Sequence, residues 1–241
     1  MLNQIKKKIH IFQNIYFKHK YFIKKKSYSM DGEDIFILNH FKNKNNGFYI
    51  DVGCYHPLHR NNTFLLHKNG WSGINIDIHQ FSIDLFNYLR PDDVNLNCAV
   101  SNSNGVTKMF YQKKLSQLST IDEKQAKIAF QGNIKTSEIK CFTLNAILEK
   151  FKFNDKKIDL LDIDVEGADL KVLKGFSLEK FKPELICVET HEKEVTDLKD
   201  AHSKLKETHT KQLNEVQTIH DKLLETHEEL KDTHSKTKEE L

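Results

Sequence analysis

The 241-residue sequence predicts an α/β fold in which helices flank a mostly parallel sheet. Short apolar segments alternate with amphipathic ones between residues 31 and 191. All nine Gly and all three Pro lie between Gly32 and Pro183, so turn residues are confined to this part of the chain. Acids stand at the ends of several apolar segments. Strands that alternate with helices form parallel sheets with right-handed crossovers.

The first predicted elements follow a cap at Asp31, which precedes an amphipathic helix running to Phe41. The next elements alternate in type. They are a strand at residues 48–53, a helix at 57–68, a strand at 74–77, a helix at 81–89 and a strand at 94–100.

The second half of the domain begins with residues 106–111, whose alternation predicts an antiparallel excursion. Residues 112–137 are polar and carry no assignment, and Thr143 is predicted to cap a helix. The later elements are that helix at 143–151, a strand at 158–165, a helix at 168–173 and a buried strand at 185–188.

Charge divides the chain into three segments, although the net charge is only +3. Residues 1–30 contain eight Lys and no acid, residues 31–191 are nearly neutral, and residues 192–241 contain nine Lys and 13 acids. We predict a basic amphipathic arm, a central domain and a charged helical tail with these bounds. The sequence lacks the long apolar run of a spanning helix. Four widely spaced cysteines favour reduced thiols and a cytoplasmic protein.

The N-terminal arm places apolar residues at helical spacing, with lysines beside them. The apolar residues are Leu2, Ile5, Ile9, Phe12 and Tyr16. Such a helix either packs on the central domain or lies peripherally on an anionic membrane surface. Nucleic acid is disfavoured as a partner, because no base-reading motif accompanies the lysines.

The tail carries His220, His227 and His234 at intervals of seven residues, and Leu223 and Leu230 at the same interval. This spacing predicts either weak self-association through a coiled coil or a lone charged helix.

Acids mark the ends of three predicted strands. Asp51 and Gly53 end the first, Asp77 ends the second, and Asp162, Asp164 and Glu166 end a later one. Ligands of parallel sheets bind outside these carboxyl ends, and an acid after the second strand suits a ribose diol. The dinucleotide motif G-x-G-x-x-G is absent, which disfavours a pyrophosphate. A nucleoside such as S-adenosyl-L-methionine is therefore favoured.

Several ordered motifs resemble those of the FkbM-type class I methyltransferases across residues 28–190. They include the segments 29–34, 47–57, 62–63, 70–77, 90–93, 99–101, 119–120, 143–144, 162–167 and 185–189. The resemblance implies a Rossmann-like fold, S-adenosyl-L-methionine as cofactor, and methyl transfer to a hydroxyl of a glycan or small metabolite.

The resemblance also implies roles for individual residues. Cofactor-binding residues would be Glu33, Asp51, Gly53, Cys54, Asp77, Ala99, Val100 and Asp162. Asp164 and Glu166 would face the reacting centre. Apart from the resemblance, a hydroxyl acceptor must lose a proton, and His56, Asp164 or Glu166 would be the catalytic residue that accepts it. We expect no metal, although carboxylates such as these suit Mg²⁺.

The sequence departs from the family's pattern after Glu189, where its usual terminal hairpin is missing and the charged tail begins. An alternative function is therefore a catalytically weak or inactive domain that acts as a tether or oligomerisation module.

Overall fold

A computed structural model describes residues 2–18, 25–189 and 216–220, without the side chains of residues 2 and 3. The chain divides into two compact units, Met1–Glu189 and Thr190–Leu241. In the second unit, residues 216–220 form a helical turn. The rest of the predicted heptad pattern lies outside the described residues.

The main sheet has five parallel strands in the order β3-β2-β1-β7-β8. Their bounds are β1 Phe48–Val52, β2 Ser72–Asp77, β3 Val94–Asn97, β7 Leu160–Ile163 and β8 Leu185–Val188. The predicted α/β class is therefore confirmed. Strand order reverses between β1 and β7, and a crevice at this point is where such sheets bind ligands.

A second sheet has three strands, β4 (Ala99–Val100), β5 (Gly105–Tyr111) and β6 (Lys135–Phe142), in the order β4-β6-β5. The prediction of one strand over 94–100 is wrong, because the chain leaves the main sheet at Cys98 and β4 pairs with β6. The antiparallel excursion is confirmed, and its partner β6 begins in the segment without an assignment.

Eight α-helices are present in the described residues between 2 and 189. Their bounds are α1 Leu2–Gln13, α2 Glu33–His40, α3 Phe64–Lys68, α4 Gln80–Leu89, α5 Glu123–Ala129, α6 Leu144–Lys150, α7 Asp169–Lys174 and α8 Leu178–Phe181. Thr143 caps α6 as predicted, accepting a hydrogen bond from the Ala146 N–H. Gly32, and not Asp31, occupies the N-cap position of α2, where the backbone φ is 96°.

The predicted helix over 57–68 is wrong in its first half, since α3 begins at Phe64. Arg60 has a φ of 50°, a left-handed conformation that interrupts a right-handed helix. The N–H groups of Leu58 and His59 instead donate to Nδ1 of His56. The loop before α3 is therefore fixed by side-chain contacts.

Both faces of the central strand β1 are buried, and they belong to different parts of the core. Phe48, Ile50 and Val52 pack in a cluster with residues of α6, α7 and α8. Tyr49 packs on the opposite face with residues of α2 and α3. Burial on both faces explains the continuous apolar character of this strand.

A fully buried arginine, Arg90, joins α4 to the loop after β1. Its guanidinium donates to Asn61 Oδ1 at 2.6 Å, to the Pro57 carbonyl at 2.8 Å and to Thr63 Oγ1 at 2.8 Å. Thr63 in turn donates to Asp51 at 2.7 Å. The positive charge is thus connected to a buried carboxylate through one hydroxyl.

Helix α1 packs on α4 and continues into a π-helical turn, Asn14–Lys18. Lys7 forms an ion pair of 2.7 Å with Asp84, and the His10 ring stacks on Phe81 with centroids 4.5 Å apart. Packing on the domain, one of the two alternatives for the arm, is therefore observed. No described helix has the length and apolar character needed to cross a bilayer.

We predict that Arg90→Met lowers the free energy of unfolding by about 3 kcal/mol or more, because Asn61 and the Pro57 carbonyl lose a charged donor inside the protein. Urea unfolding measures the change. The exposed Arg60 provides the control, since Arg60→Met should stay within about 0.5 kcal/mol of the wild type. Equal stability of wild type and Arg90→Met would contradict the assigned role.

Candidate active site

A narrow cleft opens at the carboxyl ends of β1, β2 and β7, beside the second sheet. It contains about 550 Å³ of empty space, part of which is open to solvent. Its lining includes Val52, Gly53, Tyr55, Ile76, Asp77, Ile78, His79, Ala99, Val100, Ser119, Thr120, Asp164 and Val165. Among the predicted site residues, Gly53, Asp77, Ala99, Val100 and Asp164 therefore share one cleft.

The turn at Gly53 brings β1 and the segment after β7 into close contact. Gly53 has a φ of 86°, and an added Cβ would lie 1.7 Å from the Asp164 carbonyl oxygen. No side chain fits this position, so glycine is required for both the turn and the close approach.

Asp77 is the polar group at the end of β2. One carboxylate oxygen accepts the Tyr55 N–H at 2.9 Å, and the other accepts the His79 N–H at 2.6 Å. Each oxygen retains acceptor capacity, because a carboxylate oxygen has two lone pairs. Burial raises the pKa of Asp77 to about 6, which leaves it mostly ionised at neutral pH. The arrangement suits a ligand with two adjacent hydroxyls.

His79 forms a polar part of the cleft wall and is 6% exposed. Its Nε2 lies 2.7 Å from Ser119 Oγ, and its ring meets Tyr111 edge to face. Burial lowers the pKa of His79 to about 4, so the imidazole is neutral at physiological pH. Segment 116–121 is thereby attached to the end of β2 and closes one side of the cleft.

Three carboxylates, those of Asp164, Glu166 and Glu189, meet near the end of β7. One carboxylate oxygen from each lies within 4.8 Å of the others. The pKa of Asp164 is raised well above its usual range, first by desolvation and then by the negative charges of Glu189, Glu166 and Asp162. This shift favours the protonated form of Asp164. Such a cluster has the oxygen ligands of a hard cation and can also exchange protons.

Asp51 and Asp162 lie side by side on β1 and β7, in a buried polar cluster that does not line the cleft. Asn61 donates to Asp51 at 3.0 Å, and Asn62 donates to Asp162 at 3.1 Å. Burial raises the pKa of both acids, and their mutual repulsion adds to the shift of Asp162. Their side chains fix the loop before α3.

The remaining predicted residues lie outside the cleft lining. Glu33 accepts the Asp31 N–H at 2.9 Å and interacts electrostatically with Asp162. Cys54 packs among apolar side chains of α4. His56 is fully buried, with Nδ1 committed to two backbone N–H groups. Glu166 belongs to the three-carboxylate group described above.

Sequence reasoning missed His79, Ser119 and Glu189 as site residues. Ser119 and Glu189 both lie in motifs that carry the resemblance, but the sequence assigned neither of them a function. His79 follows Asp77 by two residues, and a buried histidine beside a strand end is recognisable only once Ser119 is placed next to it. Asp122 caps α5, which accounts for an acid in the unassigned segment.

A sequence model of the methyltransferase FkbM domain family matches residues 51–226, which is more than two thirds of the chain. The chain belongs to the FkbM methyltransferase family. Neither a curated protein nor a solved structure gives a significant match.

The FkbM match begins at Asp51 and includes the cleft, the second sheet and the three-carboxylate group. It also continues beyond Glu189, past the last strand of the described part of the main sheet. The segment in which the terminal hairpin was expected to be missing therefore falls within the family match. Apart from residues 216–220, that segment lies outside the described residues.

We predict that acid destabilises the wild type more than a His79→Gln variant. The unfolded histidine binds a proton below about pH 6.5, whereas folded His79 does so only near pH 4, so stability falls with pH between these values. Between about pH 7.5 and about pH 5, the wild type should lose about 2 kcal/mol more than the variant.

Urea unfolding at both pH values measures this difference. His40→Gln, which changes an exposed histidine, is the matched control and should follow the wild type. Parallel pH dependence of the wild type and His79→Gln would show that His79 is not held neutral by burial.

Proposed function

We propose that this FkbM protein is an S-adenosyl-L-methionine-dependent methyltransferase that acts on a hydroxyl of a glycan or small metabolite. The observation that carries the proposal is the position of the Asp77 carboxylate, held by two backbone N–H groups and facing a cleft at the strand ends. Membership of the methyltransferase family supplies the reaction class.

The cleft has the features that a nucleoside requires. Asp77 would accept the two ribose hydroxyls, as an acid at this strand end does in nucleotide-binding sheets. Ile78, Ala99 and Val100 provide apolar surface for a base beside it. The glycine turn at Gly53 carries no side chain that would obstruct the cofactor near β7. The fit depends on residues of both sheets.

The three-carboxylate group would face the other end of the cofactor. Bound S-adenosyl-L-methionine supplies an activated methyl group on a cationic sulfonium. Negative charge from Glu166 and Glu189 is complementary to such a cation. The raised pKa of Asp164 favours its protonated form, which would donate a hydrogen bond to a neighbouring carboxylate.

The acceptor hydroxyl must lose a proton as it is methylated. Within the group, Glu189 is the carboxylate whose charge contributes most to the raised pKa of Asp164, and the two share a hydrogen bond. We assign proton acceptance to the carboxylates of Glu189 and Glu166, with Asp164 orienting them. His56 has no role in this scheme, because it is fully buried and lies outside the cleft lining.

Calorimetric titration with S-adenosylhomocysteine tests the cofactor assignment. We expect Asp77→Asn to weaken binding about tenfold to a hundredfold, because a hydrogen-bonded charge is lost. Asp92→Asn changes an exposed acid and should leave binding unchanged. Absence of binding to the wild type would refute the proposal.

The pH dependence of this binding provides a second criterion. Asp77 is protonated below about pH 6, so affinity should fall as the pH is lowered through this value. The Asp77→Asn variant should lack this component of the pH dependence. An unchanged profile in the variant would assign the effect to another group.

Turnover with a panel of hydroxylated acceptors separates an enzyme from an inactive tethering domain. We predict that Glu189→Gln lowers kcat by about a hundredfold while S-adenosylhomocysteine binding persists, since a general base contributes about that much. Glu184→Gln, near the other end of β8, should retain turnover. Cofactor binding without turnover on any acceptor would favour the tether.

A further inference from the structure

Helix α1 carries an apolar stripe that faces solvent. Ile5 is 50% exposed, Ile9 51% and Phe12 48%, and these residues recur at intervals of four and three. At about 100° per residue they occupy one side of the helix. The side that packs on the domain is a different one, formed by Lys7, His10, Ile11, Asn14 and Ile15.

The π-helical turn extends the exposed stripe beyond the end of α1. In a π-helix the backbone hydrogen bonds join residues five apart, which brings Phe17 next to Phe12. Their ring centroids are 5.8 Å apart, and Phe17 is 63% exposed. The local change in helical repeat therefore places a second aromatic ring on the exposed side.

Lysines flank this stripe. Lys6 and Lys8 project to opposite sides of the line through Ile5 and Ile9, as their positions on a helical wheel require. Lys18 follows the stripe at its end, and residues 1–30 contain no acid. Lys7 points to the domain, where it forms an ion pair with Asp84. Lys6, Lys8 and Lys18 take no part in that ion pair.

We propose that α1 and its π-helical turn form a docking surface for an anionic lipid bilayer. Apolar side chains between flanking lysines match the boundary between acyl chains and acidic headgroups. The ion pair with Asp84 and the stacking of His10 on Phe81 hold the helix to the domain, so the surface is presented by the folded protein. The docking would concentrate the protein at a membrane.

Sedimentation of the full chain with lipid vesicles tests the proposal. Vesicles of equal parts phosphatidylglycerol and phosphatidylcholine should bind the wild type at least about tenfold more tightly than pure phosphatidylcholine, and added salt should reduce the difference. Failure to bind the anionic vesicles would overturn the proposal.

Substitutions then identify the surface. The double variant Ile9→Ser and Phe12→Ser should bind at least about tenfold more weakly, because it loses buried apolar area. Ile128→Ser is the matched control, since Ile128 is an apolar residue that is 77% exposed and belongs to a different helix, α5. Equal weakening by the control, or undiminished binding of the double variant, would refute the assigned surface.

Two further measurements distinguish membrane docking from self-association and from a loss of cofactor binding. Sedimentation velocity without lipid shows whether the stripe pairs two copies of the chain. A dimer that the double variant dissociates would replace the membrane with a second copy as the occupant. S-adenosylhomocysteine binding by the double variant should equal that of the wild type, so that a failure of the cofactor proposal and a failure of membrane docking can be told apart.

Discussion

The loop after β1 depends on a buried positive charge. Arg90 is fully buried and donates to three groups of this loop, and through Thr63 it reaches Asp51 at the centre of the main sheet. A charge in this position is tolerated because both terminal nitrogens of the guanidinium are hydrogen-bonded and a carboxylate lies nearby. The conformation of the loop, including the backbone N–H that Tyr55 directs to Asp77, follows from this arrangement.

Negative charge accumulates where the parallel strands end. Burial raises the pKa values of Asp51, Asp77 and Asp162, and the pKa of the more exposed Asp164 is raised as well, by desolvation and by the negative charges of neighbouring carboxylates. Two of these acids are used by the fold, where asparagine amides satisfy them. The other two line the cleft. The same electrostatic environment therefore supports both the loop and a site suited to a cationic ligand with hydroxyl groups.

Local signals in the sequence predicted the elements that depend on local chemistry. The strand at β1 and the cap at Thr143 are recognisable from neighbouring residues alone. The break between β3 and β4 at Cys98 is not recognisable in this way, because the residues on both sides favour strands. Only the pairing of β4 with β6 shows that they belong to two different sheets. The loop over residues 57–63 has helical spacing in sequence, yet contacts with distant Arg90 determine its conformation. For α1, amphipathicity identified the apolar stripe but did not show which side of the helix packs on the domain. The ion pair between Lys7 and Asp84 helps to select that side.

We propose above all that the Asp77 carboxylate holds the ribose of S-adenosyl-L-methionine in the cleft between the two sheets. A crystal structure of the protein with S-adenosylhomocysteine tests it most directly. We expect both ribose hydroxyls within hydrogen-bonding distance of the Asp77 oxygens and the base beside Ala99 and Val100. A nucleoside bound elsewhere, or one whose ribose makes no contact with Asp77, would contradict it.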